Sequence, residues 1–419
     1  MNPFRHAHRP IGSVWLATLL AWVAVASQLP AAQFQAAAAP AQGAQDPGRI
    51  SSLVKQLGSE DFAEREAAGD ELTRAGLAAF SALETAAAHP DREVRYRSIR
   101  ILGQIRELDL QRRLEAFLSG KNDTDEYPLP AWSRFKKAYG DDATSRQLFV
   151  ELTRADAEVM RTLEESPKTA SDLLGQRAFQ HQQAMQLGQQ QQLSLAQIGV
   201  MLFVAAEEDV TLQAQTMNMV YNYCYQQTLR DAVASSAKNG IPRKMVGSII
   251  RRSEDTAAYQ AMLIALNLGL DDGMVPALKI LNGQGNRAPH MSQYALMTVA
   301  KLGNQSHLPL VEKLLEDKSV VTRMQENKTI YDVQVRDAAL ATAVLLSKQE
   351  LKTYFGERPN QQLTDPQQIF FNPRVIGFTD EEKRTETHKK WAEYQAKQPK
   401  PADPKPEKKP DAPDAEAPK

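Results

Sequence analysis

With 419 residues and a 42% hydrophobic content, the chain is long enough to bury a sizeable core. Its 50 Lys and Arg residues against 51 Asp and Glu leave a net charge of −1, and the missing basic excess argues against a protein that holds nucleic acid by its phosphates. A single cysteine, Cys224, excludes an internal disulfide.

The chain opens with a basic leader, Arg5, His6, His8 and Arg9, followed by the apolar run IGSVWLATLLAWVAVA at 11–26. Ala24 and Ala26 place small side chains at the two positions that signal peptidase reads, so 1–26 is expected to be a secretory signal peptide. The run is shorter than the roughly 20 residues of a bilayer span. Cleavage and release to the periplasm or exterior is therefore expected, with a retained membrane anchor at 11–26 as the alternative. Residues 27–48, rich in Ala, Gln and Pro, read as a low-complexity linker.

Residues 49–120 carry helical stripes. Ile50, Leu53, Val54 and Leu57 form the first; Phe62, Ala63, Ala67, Leu72 and Ala75 a second, stopped at Gly76. Leu77, Phe80, Leu83 and Ala87 make a third, and after the turn His89-Pro90-Asp91 a fourth contains Val94, Ile99, Ile101, Leu102 and Ile105. The middle region, 121–252, begins with an acidic, proline-bearing loop that lacks calcium-loop spacing. It continues with the stripe Trp132, Phe135, Tyr139 and with Leu148, Phe149, Leu152, Val159, Met160 and Leu163. A glutamine-rich stretch from Gln176 to Gln192 keeps Phe179, Met185 and Leu187 at helical spacing; it is either a solvated helix face or a specific binding surface. Cys224 sits in an apolar, tyrosine-rich run and reads as a buried structural thiol, since a catalytic thiolate wants a histidine partner. A cysteine-linked dimer stays open.

Residues 253–356 contain an internal echo. Tyr259 to Leu281 is repeated by Gln293 to Leu315, with Leu268-Gly269 matching Leu302-Gly303 and with Pro276 and Pro309 near the starts of the following helices. A period in this range marks a helical solenoid. Few segments alternate with period two, so no sheet is expected. Residues 357–397 read as a cap, in which Phe370, Phe371, Val375, Ile376 and Phe378 pack on the repeats; Thr379 and Glu382 form a capping box. A final helix then runs to about Ala396 with Trp391 and Tyr394 on one face. The Pro-, Lys- and Asp-rich segment 398–419 is expected to be a disordered tail.

Two phrases, DREVRYRSIRIL (Asp91 to Leu102) and DVQVRDAALATAVLL (Asp332 to Leu346), resemble the signature of HEAT repeats in Asp91, Val94, Arg95 and in Asp332, Val335, Arg336. The spacing of Asp and Arg puts each pair on one helical face. The resemblance implies an all-α fold, an α-solenoid of stacked hairpins whose polar pairs tie one repeat to the next, with a concave face suited to a guest. No Walker loop, GxGxxG, HExxH, GxSxG or zinc-spaced cysteine pair occurs, and His89, His181, His290, His307 and His388 are scattered. No catalytic, cofactor or metal residues are therefore expected. The sequence points to a non-enzymatic scaffold of the cell envelope that binds an unidentified protein or peptide and no nucleic acid. The alternatives are a lyase-type enzyme on a HEAT-like fold and a membrane-anchored accessory subunit of an envelope complex.

Overall fold

The computed structural model describes residues 46–119, 129–187, 192–238, 240–254, 257–285, 288–356 and 364–398. The expected signal peptide, with Ala24 and Ala26, nearly all of the linker, the acidic loop at 122–128 and the tail from 399 lie outside the described residues. What is described is mostly helical, and the chain divides into two compact units at Arg112 and Arg113. No described helix is long and apolar enough to cross a membrane.

The first unit is built from α1 (Pro47–Gln56), α2 (Phe62–Ala75), α3 (Phe80–Ala86) and most of α4 (Arg92–Leu118). α1 begins inside the stretch read as linker. Asp46 caps it by accepting from the Gly48 N–H, and Pro47 occupies the first turn, where no hydrogen bond is lost. α2 starts on Asp61 and stops at Gly76, whose φ of +60° few other residues adopt. The expected third helix splits into a 3-10 turn, Gly76–Ala79, and α3. Ile50, Leu53, Leu57, Leu72, Leu83, Val94, Ile101 and Ile105 form the core. Phe62 and Ile99, both expected in core stripes, are instead 63% and 56% exposed.

In the second unit, α5 (Trp132–Tyr139), α6 (Ala143–Ala155), α7 (Ala157–Glu165), α8 (Pro167–Gln186), α10 (Ala214–Tyr223), α11 (Gln227–Ser235) and α12 (Ile241–Arg251) follow the chain around α9 (Leu195–Ala206). α9 touches α6, α7, α8, α10, α11 and α12, which explains its unbroken apolar sequence: a helix surrounded on every side has no polar face. One arginine holds a carbonyl in the last turn of α9 and two more just past its end. Arg252, just past α12, donates to the carbonyls of Ala205, Glu207 and Val210.

The echo found in the sequence becomes α13 (Ala258–Leu268) with α14 (Met274–Leu281), and α15 (Pro289–Leu302) with α16 (Leu308–Glu312). α15 packs against α13 and α14 on one side of the repeat and against α17 (Val335–Leu346) on the other. The two matched glycines do different work. Gly269 ends α13 at φ +62°, whereas Gly303 has φ −84° and is confined because a Cβ would lie 2.5 Å from the Val299 carbonyl oxygen. Nothing lies within 4 Å of a Cβ at Gly269, so Gly269→Ala isolates the left-handed strain. It is expected to cost about 1–2 kcal/mol in urea unfolding, and Gly269→Asn should recover part of that loss because asparagine tolerates this conformation.

One sheet, absent from the sequence-based expectation, interrupts the helices. Strands β1 (Val320–Glu326) and β2 (Thr329–Gln334) form an antiparallel hairpin with Asn327 at φ +54° in its turn. The β-branched and aromatic residues of VVTRMQENKTIYDVQ favour this extended pairing. The remaining elements are α18 (Leu351–Phe355), α19 (Pro366–Phe370), α20 (Pro373–Ile376) and α21 (Glu381–Ala396). α21 is capped by Asp380, which accepts from the Lys383 N–H, rather than by Thr379, one residue earlier. Phe370, Val375, Ile376, Phe378 and Trp391 are buried in the same core as α13, α15 and α17, whereas Phe371 is half-exposed.

Candidate functional site

The first signature phrase builds a helix start. Asp91 precedes α4 and accepts hydrogen bonds from the N–H groups of Glu93 (2.7 Å) and Val94 (3.3 Å). Val94 is buried, and Arg95 reaches back to the carbonyls of His89 (2.7 Å) and Pro90 (3.3 Å). The Asp–Arg spacing thus serves the turn before α4 and makes no ion pair between the two.

The second phrase departs from the reading of a shared helical face. Asp332 lies on β2, and α17 starts only at Val335. A strand turns successive side chains to opposite faces, so the helical spacing of Asp332 and Arg336 does not apply. Both residues instead join a buried charge network whose other members the sequence did not single out. Asp337, with no solvent exposure, accepts from the Gln334 N–H (2.8 Å) and from Arg384 Nε of α21 (3.0 Å). Arg384 also donates to the Asp332 carbonyl (3.0 Å), to Asp332 Oδ2 (3.2 Å) and to Glu381, and its guanidinium lies 5.3 Å over the Phe378 ring. Asp332 further accepts from Arg323 (2.7 Å) and Gln334 (2.9 Å), and Arg336 binds Gln334 and Glu381. Burial pushes the Asp332 carboxyl up, but the hydrogen bonds from Arg323 and Gln334 and the nearby guanidinium charges outweigh it and hold the group below its ordinary range. Glu381 is lowered in the same way, burial opposing and Arg336 and Arg384 prevailing. The network fastens the hairpin and α21 to the start of α17. Its groups are occupied by one another, which makes it a fastening rather than a site for a ligand.

A surface open to a ligand lies between α8 and α10. A groove of about 510 Å³ is lined by Ser171, Asp172, Gly175, Gln176 and Phe179 of α8 and by Gln213, Gln215, Thr216 and Met219 beside and on α10. The helices approach closely at Gly175, where a Cβ would sit 3.2 Å from Thr216 Oγ1, and Ser171 ties α8 to the segment before α10 by donating to the Thr211 carbonyl (2.6 Å). Further along α8, His181 Nδ1 is 3.1 Å from the Tyr223 hydroxyl. Burial, aided by the charge of Arg177, pushes the His181 imidazole down and favours its neutral form. Arg177 itself is fixed by Asp156 and Glu158 at 2.8 and 2.7 Å. The groove therefore has a braced floor and side chains free to meet a guest. Carboxamides donate and accept at once, as a peptide backbone does, and half-exposed Phe179 offers an apolar contact beside them. The glutamines of α8 were visible in the sequence. Their counterparts on α10 were not, because the two helices meet only in the fold.

Cys224 is buried, and burial pushes its thiol up to about 12, far from the range of a reactive thiolate. Among the described residues no group of three or more His, Cys, Asp or Glu is arranged to hold a metal ion. No protein-family model matches the chain, and no curated protein matches it.

Proposed function

We propose that the chain is a non-enzymatic interaction scaffold of the cell envelope, an α-solenoid of HEAT-type hairpins exported by the leader at 1–26, which holds an extended segment of another protein in the groove between α8 and α10. The repeat reading is supported by the echoed hairpins, with α15 packed between α13 and α17. The observation that carries the function is the groove itself: Gln176, Gln213, Gln215 and Thr216 around half-exposed Phe179. Amides arrayed along a helix pair can satisfy successive backbone groups of an extended guest, and an aromatic side chain supplies the anchor.

The test places a photo-crosslinking amino acid at Gln213 in the full chain and irradiates it with envelope extract. A single defined protein adduct is expected, and that protein, once purified, should bind the chain with an affinity that falls about tenfold or more in Gln176→Ala/Phe179→Ala. The absence of a defined adduct, or binding indifferent to the double substitution, refutes the proposal.

A further inference from the structure

α4 shows two seams on opposite sides, one buried and one exposed. One, through Val94, Ser98, Ile101 and Ile105, is buried in the core of the first unit. The other runs through Arg92, Tyr96, Ile99, Gly103 and Arg106, alternately four and three residues apart, and continues to half-buried Leu110. That alternation is the heptad spacing with which one helix meets another. Tyr96 and Ile99 are 64% and 56% exposed, and a Cβ at Gly103 would find nothing within 4 Å. A glycine in the middle of a helix gives up more chain freedom than any other residue, and nothing within the unit requires one here. What a bare position on a solvent face does permit is close approach by another backbone.

We propose that this face of α4 is a second docking surface, which takes an acidic amphipathic helix of a partner protein. The exposed seam is bordered by Arg92, Arg95, Arg100 and Arg106, against which Glu107 is the acidic neighbour on the same side. Arg92 makes no ion pair among the described residues, and Arg100 and Arg106 reach Glu66 and Glu84 only at 3.9 and 3.5 Å. Their side chains are 46% and 62% exposed, and Arg106, whose guanidinium lies 5.0 Å over the Phe80 ring, keeps an open face toward solvent. From Arg92 to Arg106 the seam spans about 21 Å, the length of two heptads. A second copy of the chain laid on this face would set arginines against arginines. An anionic membrane would match the charge but would find only Tyr96 and Ile99 to bury, and it gives the glycine no role. An acidic helix uses all three features: carboxylates beside the arginines, small side chains crossing at Gly103, and apolar ones against Tyr96 and Ile99.

The experiment uses the full chain and a fluorescent synthetic helix of three heptads with a Leu/Ala seam flanked by glutamates; its twin carries lysines in place of the glutamates. Anisotropy should show saturable, salt-weakened binding of the acidic peptide and none of the basic one. Arg92→Glu/Arg100→Glu and, separately, Gly103→Leu should each weaken binding about tenfold or more. Leucine is the better helix former, so loss of binding in Gly103→Leu with an unchanged or raised melting temperature reports the contact rather than the fold. The inference is overturned if the acidic peptide fails to bind, if it binds both variants like the parent chain, if vesicles containing phosphatidylglycerol bind where the peptide does not, or if sedimentation shows a dimer that Arg92→Glu/Arg100→Glu dissociates.

Discussion

Arg384→Ala is expected to destabilise the C-terminal unit by about 3–5 kcal/mol, the range for breaking one partner out of a buried ion pair, read from the urea midpoint of that unit's transition. The size follows from what is left behind. Asp337 has no solvent exposure, and without Arg384 its carboxylate keeps the Gln334 N–H, with His388 Nε2 at 3.7 Å, too far for a hydrogen bond. Asp332 loses one of its cations and its carbonyl loses a donor. Asp337→Ala should cost less, because Arg384 then still has Glu381 and Asp332 to satisfy it. A double-mutant cycle between the two separates their coupling from the desolvation each suffers alone. The same network has a pH signature. Asp332 and Glu381 have folded-state values below their unfolded ones, so the unfolded chain binds more protons and stability rises with pH through this range. Their contribution is present in full above the ordinary carboxylate range of about 4 and is lost as pH falls through the lowered folded values. In Arg384→Ala both carboxyls lose a cation, and the slope of stability against acid pH should flatten. An unaltered slope, or a midpoint within error of the parent, removes the network from the account of how α21 is held.

What the sequence made legible was local. Hydrophobic period and turn residues located α1, α2, α13, α15 and the start of α4 within a few residues, because a 3.6-residue repeat and a stopping glycine act through neighbours in the chain; α4 itself runs on to Leu118, well past the Ile105 end of its stripe. The hairpin was hidden by a local coincidence: DVQVR matched a helical phrase while VVTRMQENKTIYDVQ supplied strand formers, and only pairing of β1 with β2, and of Asp332 with Phe378, decides between them. Tertiary context commonly settles such conflicts. The charge network was illegible for a different reason. Asp337 and Arg384 meet across 47 positions, and on α21 Arg384 stands among other charged residues with nothing in their pattern to mark the one that turns inward. The groove was half legible. Glutamines at helical spacing identified α8 as unusual, but whether they face water or a guest depends on α10, and the segment leading into it is joined to Ser171 at Thr211 from 40 residues away.

Phe135→Ala should cost about 3–5 kcal/mol, as large-to-small changes of a buried phenylalanine do, and Phe135→Leu well under half of that. Phe135 has no solvent exposure and stands at the centre of an aromatic cluster. Its ring lies 4.8 Å from Tyr139, 5.4 Å from Phe149, 5.4 Å from Phe203 and 6.0 Å from Trp132. Those rings come from α5, α6 and α9, so one side chain joins the local turn Trp132–Tyr139 to the helix around which this part of the unit is built. Truncation leaves a hole bounded by rigid rings, which close on a void less readily than aliphatic chains; leucine keeps most of the volume but forfeits the ring–ring contacts, worth about 0.5–1.5 kcal/mol a pair. Comparison with Arg384→Ala then reports on the unit itself. If the unit unfolds in one cooperative step, both substitutions lower a single midpoint and their effects add in the combined variant. If Phe135→Ala moves one transition and Arg384→Ala another, the aromatic cluster and the charge-fastened C-terminal helices unfold separately, each with its own stability.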